Sequence, residues 1–161
     1  MPTKFSESDL ARVLPGSWVI AATNFPMWLT DKRLNPTLSY ETLVESPLVL
    51  KDTVAYTTDE GVEKTIVGKD SYNGRGFTWR GRGLLGLVPV HWAVTGVDST
   101  GTVVTIQYDR SLVSPAGIDI LTPVGVEVPE VRSIIATDAA AFGLSLEGFA
   151  SLTWLGATPP A

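Results

Sequence analysis

The chain of 161 residues contains no cysteine and a single histidine, His91. Without cysteine there is no disulfide framework, no thiolate zinc site and no cysteine nucleophile, and the composition fits a reducing cytoplasm. One imidazole does not assemble a zinc centre, which wants three or four N, S or O ligands, so no metal and no cofactor is expected. Charge is also scarce: 18% of residues are charged and the formal net charge is −5. That balance argues against nucleic acid as a main partner, because neutralising phosphates takes clustered Lys and Arg. No segment reaches the ~18 uninterrupted apolar residues of a membrane-spanning helix. Residues 1–9, Met-Pro-Thr-Lys-Phe-Ser-Glu-Ser-Asp, hold no apolar stretch of signal-peptide length. The expectation is a soluble cytoplasmic protein that touches neither nucleic acid nor membrane, with a homodimer left open.

What the chain has is alternation. Hydrophobic residues make up 44% of it, enough for one packed domain over 1–161 without staples. In the run 76–85, Phe77, Trp79, Gly81, Gly83 and Leu85 fall on one face and Thr78, Arg80, Arg82 and Leu84 on the other, the period of a half-buried strand. Similar runs cover 17–24, 37–45, 49–57, 62–70, 90–98, 102–109 and 118–121. Between most of them stand turn signals such as Asp59-Glu60-Gly61, Asn73-Gly74 and Asp98-Ser99-Thr100-Gly101. Short strands joined this way predict an all-β domain, either an up-and-down antiparallel barrel or a sandwich. Hairpin-length links and the removal of exposed edges favour a barrel of about eight strands.

Three segments depart from the strand pattern. Ser6 and Asp9 predict a capped short helix over 7–14, stopped by Pro15-Gly16. The connection 25–36 carries Pro26, Met27, Trp28 and Leu29, too apolar for a bare loop, and should plug or lid one barrel mouth. From Pro129 the period becomes helical, with Val131, Ile134, Ile135, Ala139 and Phe142 on one stripe and Gly143 at the stop. Residues 146–155 fit a second helix or a closing strand, and a helix is preferred, so that the helical part spans about 129–155 outside the barrel; the tail at 158–161 should fray.

Few residues offer chemistry. Gly81-Arg82-Gly83-Leu84-Leu85-Gly86 matches the dinucleotide pattern in letters, but such a motif must open a helix after a strand, and Leu87-Val88-Pro89-Val90 follows instead. His91 lies on the face opposite Trp92, outside the barrel. Asp52 shares a face with Leu50, Val54 and Tyr56; a carboxylate on an inner face must be paired, hydrogen-bonded or protonated. A structural pair with an arginine or tyrosine at the rim is one reading, a general base or ligand-orienting acceptor the other. Tyr40, Tyr56 and Tyr108 also fall on apolar faces, as do Trp18, Trp79 and Trp92. Such stripes serve core packing first, yet together they would wall a cavity for a flat or cyclic apolar ligand. Candidate catalytic residues are therefore Asp52 and Tyr56, and candidate ligand-binding residues Trp28, Tyr40, Trp79, Arg80, Trp92 and Tyr108. Arg80 reaches the cavity only if the strand bends at Gly81.

Over about residues 16–123 the chain resembles the lipocalin-like, calycin-type small barrels. The resemblance is carried by Gly16-Ser17-Trp18 at the opening of the first strand and by a helix packed after the last strands. It is also similar to a group of uncharacterised lipocalin-like proteins with a Trp-Arg-Gly-x-Gly-Leu-Leu run, here 79–85, and a Gly-Ile-Asp-Ile run, here 117–120. The resemblance implies a container for one hydrophobic small molecule. The preferred expectation is a cofactor-independent cyclase, isomerase or lyase of specialised metabolism, working by orientation with help from Asp52 or a tyrosine. The alternative is an intracellular carrier without chemistry, and a lesser one a haem-binding barrel.

Overall fold

The structure, a computed structural model, describes residues 5–155. The strands are β1 (Gly16–Thr23), β2 (Leu34–Glu45), β3 (Leu48–Thr57), β4 (Glu63–Tyr72), β5 (Phe77–Gly81), β6 (Val90–Val97), β7 (Val104–Tyr108) and β8 (Gly117–Pro123). Each is hydrogen-bonded antiparallel to the next, and β1 pairs with both β2 and β8, so the sheet closes into an eight-stranded up-and-down barrel. Closure falls on β1: Gly16–Val19 face Tyr40–Thr37 of β2, and Trp18–Thr23 face Pro123–Asp119 of β8. A short ninth strand, β9 (Thr153–Trp154), takes the edge of β1 that β2 has left, opposite Ala22 and Thr23.

Turn chemistry fixes the registers. Asp98 Oδ1 accepts from the amides of Thr102 and Val103, and Asn73 Oδ1 accepts from those of Arg75 and Gly76. Each carboxylate or amide oxygen thereby satisfies donors that a tight turn would leave bare.

One end of the barrel is sealed by α1 (Glu7–Val13). Its capping box is complete: Ser6 Oγ accepts from the Asp9 amide and Asp9 accepts from the Ser6 amide. Leu10 and Leu14 are buried against Trp18, whose Nε1 donates to the Leu14 carbonyl at 2.8 Å. Glu7 ties the helix to the barrel by accepting from the Leu48 amide.

The C-terminal part lies outside the barrel as expected, but not as one helix. α2 (Val131–Thr137) ends at Asp138, where the backbone turns out of helical geometry. Asp138 then accepts from the Ala141 amide and starts a separate 3-10 turn, Ala139–Phe142, stopped by Gly143 at φ +73. The stretch 146–155 is both things the sequence allowed: α3 (Leu146–Ala150), then β9. Ile135, Phe142, Leu144 and Leu152 pack on Ala22, Val103 and Ile120 of the outer barrel wall, forming a second core.

The run 76–85 is corrected as well. β5 stops at Gly81, because Gly83 adopts φ +61 and opens a 3-10 turn, Gly83–Leu87, before Pro89. A left-handed residue ends an extended chain, so Gly83 does not continue the inner face of Phe77 and Trp79. The tail at 158–161 lies outside the described residues. Among the described residues no helix is long and apolar enough to cross a membrane.

Candidate functional site

In an up-and-down barrel the β1–β2, β3–β4, β5–β6 and β7–β8 connections leave by one end, opposite α1. At that end residues 25–33 fold inward. Pro26–Trp28 form a 3-10 turn that starts at proline and tucks Phe25 and Trp28 into the mouth, 8% and 5% exposed. Phe25 lies where a β-carbon on Gly117 would stand, so glycine at 117 is what seats it. Its ring meets Tyr108 edge-on at 5.3 Å, and Trp28 meets Tyr56 at 5.9 Å. On the opposite wall the Trp79 indole occupies the space a side chain at Gly68 would need.

Beneath this cover is a cavity of about 220 Å³. Phe25, Trp28, Leu38, Val54, Trp79 and Tyr108 supply most of its apolar wall, and Asp52 and Asp119 are in the lining too. The inner register explains why: Asp52 on β3 stands opposite Tyr40 and Gly68, and Asp119 on β8 opposite Ile106 and Thr23.

Three carboxyl groups lie inside the barrel: Asp52, Asp70 and Asp119, at 5%, 0% and 1% exposure. None has a basic partner; the one ion pair among the described residues is Arg12–Asp9 on the surface. Burial lifts each above the ordinary carboxyl value of 3.8, Asp52 to about 6 and Asp119 to about 7. Asp70 is raised well above it, first by burial and then by the neighbouring charge of Asp52. Asp52 and Asp70 hydrogen-bond to one another, which requires one proton between the two carboxyls. Treated as bare carboxylates, Asp52 Oδ1 and Asp70 Oδ2 would have no partner; the shared proton removes that conflict. Asp70 Oδ1 accepts from Trp92 Nε1 at 2.9 Å. Asp119 takes a hydrogen bond from Thr23, yet its Oδ1 has no partner in the protein, nor has the Tyr40 hydroxyl. Burial, and then the charges of Tyr108 and the three carboxyls, push Tyr40 ionisation well upward.

Of the sequence candidates, Asp52, Trp28, Trp79 and Tyr108 line the cavity. Tyr56 stands at the mouth, half-buried, between Trp28 and the Arg33 guanidinium, whose carbon is 5.8 Å from the ring centre. Tyr40 and Trp92 lie deeper, stacked on one another at 5.6 Å, with Phe77 on the other side of Trp92 at 4.7 Å. They belong to the packed core and not to the cavity lining. Arg80 is a correction: β5 does not swing it inward, and its side chain is exposed outside, donating to the Gly86 carbonyl at 2.8 Å. The partner of Asp52 is also corrected, being a second carboxyl and not an arginine or tyrosine. His91 is exposed on the outer wall, Nδ1 at 3.0 Å from Thr78 Oγ1, and does not face the cavity where a haem would sit.

The sequence reading missed Asp70 and Asp119. Asp70 continues the inward row of Gly68, and Asp119 that of Gly117 and Leu121; period two was the available signal for both. A larger open depression of about 410 Å³, with Lys69, Arg80 and Arg82 on its rim, lies outside the barrel. Its polar lining residues are solvated or already bonded, and it encloses no unpartnered buried group. The inner cavity does, and it is the candidate site.

These features define a lipocalin-like, calycin-type barrel. No protein-family model matches the sequence, and no curated protein matches it. Solved structures do match in fold. The siderocalin Ex-FABP aligns over 95% of this chain and 96% of its own at 14% identity, TM-score 0.58. Lobster apocrustacyanin A1 aligns over 96% and 87% at 10% identity, TM-score 0.59, and the bovine lipocalin allergen Bos d 2 over 90% and 93% at 13% identity, TM-score 0.57. At such identities the likeness is one of fold.

Proposed function

We propose that this barrel binds one small, largely apolar molecule in the cavity under Trp28. The observation that carries the reading is an aromatic-walled cavity with an unpartnered buried oxygen, Asp119 Oδ1, in its lining. A buried polar atom without a partner costs free energy, and a bound ligand is one way to supply that partner. Ex-FABP, of similar fold, is described as working through dual ligand specificities, which supports a container role for such a barrel. At about 220 Å³ the cavity is below the usual range for drug-sized ligands, so the occupant is about one ring with a short substituent. Native mass spectrometry of the purified protein, after exposure to an extract of its source cells, should show one small molecule per chain. Replacement of Trp28 by alanine should abolish that adduct. A parent chain that stays bare after that exposure contradicts the reading.

The Asp52–Asp70 pair favours a second reading, the cofactor-independent cyclase, isomerase or lyase. Asp52, raised to about 6, lines the cavity and would take a proton from a bound substrate, with Asp70 behind it sharing its hydrogen bond. Orientation in the cavity would supply much of the acceleration. Once a substrate is identified from the adduct, Asp52→Asn should reduce turnover by about 10²–10⁴ with binding retained. A binding protein would show no turnover in the parent.

A further inference from the structure

The barrel interior carries acid without base. Asp52 on β3, Asp70 on β4 and Asp119 on β8 all lie inside, each close enough to the Tyr40 and Tyr108 hydroxyls to raise their ionisation. Every lysine and arginine among the described residues is exposed or half-buried. Arg33 comes to the mouth, but it lies over the Tyr56 ring and donates to the Met27 carbonyl, with no bridge to any carboxyl. A cavity meant for a neutral hydrocarbon gains nothing from buried carboxyls, and one meant for an acid is repelled by them. Asp119, 1% exposed, belongs to the cavity lining, and its Oδ1 has no donor in the protein. Phe25, Trp28 and Tyr108 line the same space and suit the hydrocarbon body of a ligand. A metal ion does not fit: no group of three or more His, Cys, Asp or Glu among the described residues is placed to hold one.

We propose that the ligand is a small primary ammonium compound, an aryl-alkyl amine in size and shape. Its ammonium group meets Asp119, and its ring lies against Trp28, Trp79 and Tyr108. The assignment rests on the binding reading above and narrows it to one chemical class. Binding takes the charge of a carboxylate and neutralises it with an N–H donor, so the amine supplies what the fold omits. At pH 6 the raised Asp119 carboxyl is largely protonated, and the incoming cation must release that proton.

The test uses three probes of one shape: 2-phenylethylamine, 2-phenylethanol and phenylacetate, titrated against the full chain by tryptophan fluorescence and calorimetry. The amine should bind at least about tenfold more tightly than the alcohol, the usual worth of a charge-assisted hydrogen bond, and the acid should bind least. In Asp119→Asn the amine-to-alcohol ratio should fall toward one. Calorimetry of the parent at pH 6 in buffers of different ionisation enthalpy should show protons released on amine binding and none on alcohol binding, a readout that does not depend on any variant folding. Alcohol binding as tight as amine binding would overturn the amine assignment and leave the binding reading standing. Failure of all three probes to bind would count against both.

Discussion

Asp119 shows how much one residue can decide. Its carboxyl ionises near 3.8 in an unfolded chain and at about 7 in the barrel, because burial penalises the charge. The folded state therefore holds this proton more tightly than the unfolded one. Between about pH 4 and about pH 7 the unfolded chain binds fewer protons, so stability declines as pH rises through that window. The decline ends above the folded value. Asp52 adds a smaller decline of the same sign up to about 6. Urea melts should show Asp119→Asn more stable than the parent at pH 8, with the difference shrinking or reversing at pH 5. A variant less stable at pH 8 would show that the side chain is held charged by a partner. An amine ligand should act in the same direction as the substitution and flatten the profile.

At the scale of the element, the informative piece is the 25–33 connection. Its closure depends on a close approach: Phe25 fits only because position 117 lacks a β-carbon. Gly117→Ala should force Phe25 aside and cost about 1–3 kcal/mol, the usual penalty of overpacking, read from denaturant midpoints. Trp28→Ala should act differently. It removes the roof of the cavity, and should lower affinity for an apolar probe far more than it lowers the melting temperature. Equal affinity with a large stability loss would make the segment a fixed plug. Sequence reading reached this segment because a loop with Phe25, Met27, Trp28 and Leu29 must cover something. It did not reach the break in the C-terminal helix, since the apolar stripe runs unbroken from Val131 to Phe142 and only the backbone of Asp138 interrupts it.

At the scale of the whole molecule, alternation and turn spacing were enough for the closed antiparallel barrel, its two flanking helical parts and Asp52 on an inner face. The other two carboxyls were harder to see for a physical reason. On β8 the outer face is itself covered by α2 and the segments after it, so Ile118 and Ile120 are apolar outward while Asp119 points inward. Polarity is then reversed relative to a solvated barrel wall, and Gly-Ile-Asp-Ile reads as a core run with a stray acid. Asp70 was read as the last residue of its strand, where an aspartate usually belongs to a turn; the strand in fact runs on to Tyr72. Arg80 was drawn toward the cavity by Gly81, but the departure from extended geometry falls at Gly83, where β5 has already ended.

The central proposal is that a ligand enters the barrel and meets Asp119 under Trp28, with the outer depression by Arg80 uninvolved. Amide NMR shifts during titration with 2-phenylethylamine test this most directly. Shifts confined to Phe25, Trp28, Asp52, Val54, Trp79, Tyr108 and Asp119 are the predicted result. Shifts gathered instead at Lys69, Arg80, Arg82 and Gly86, with the inner residues unmoved, would contradict it.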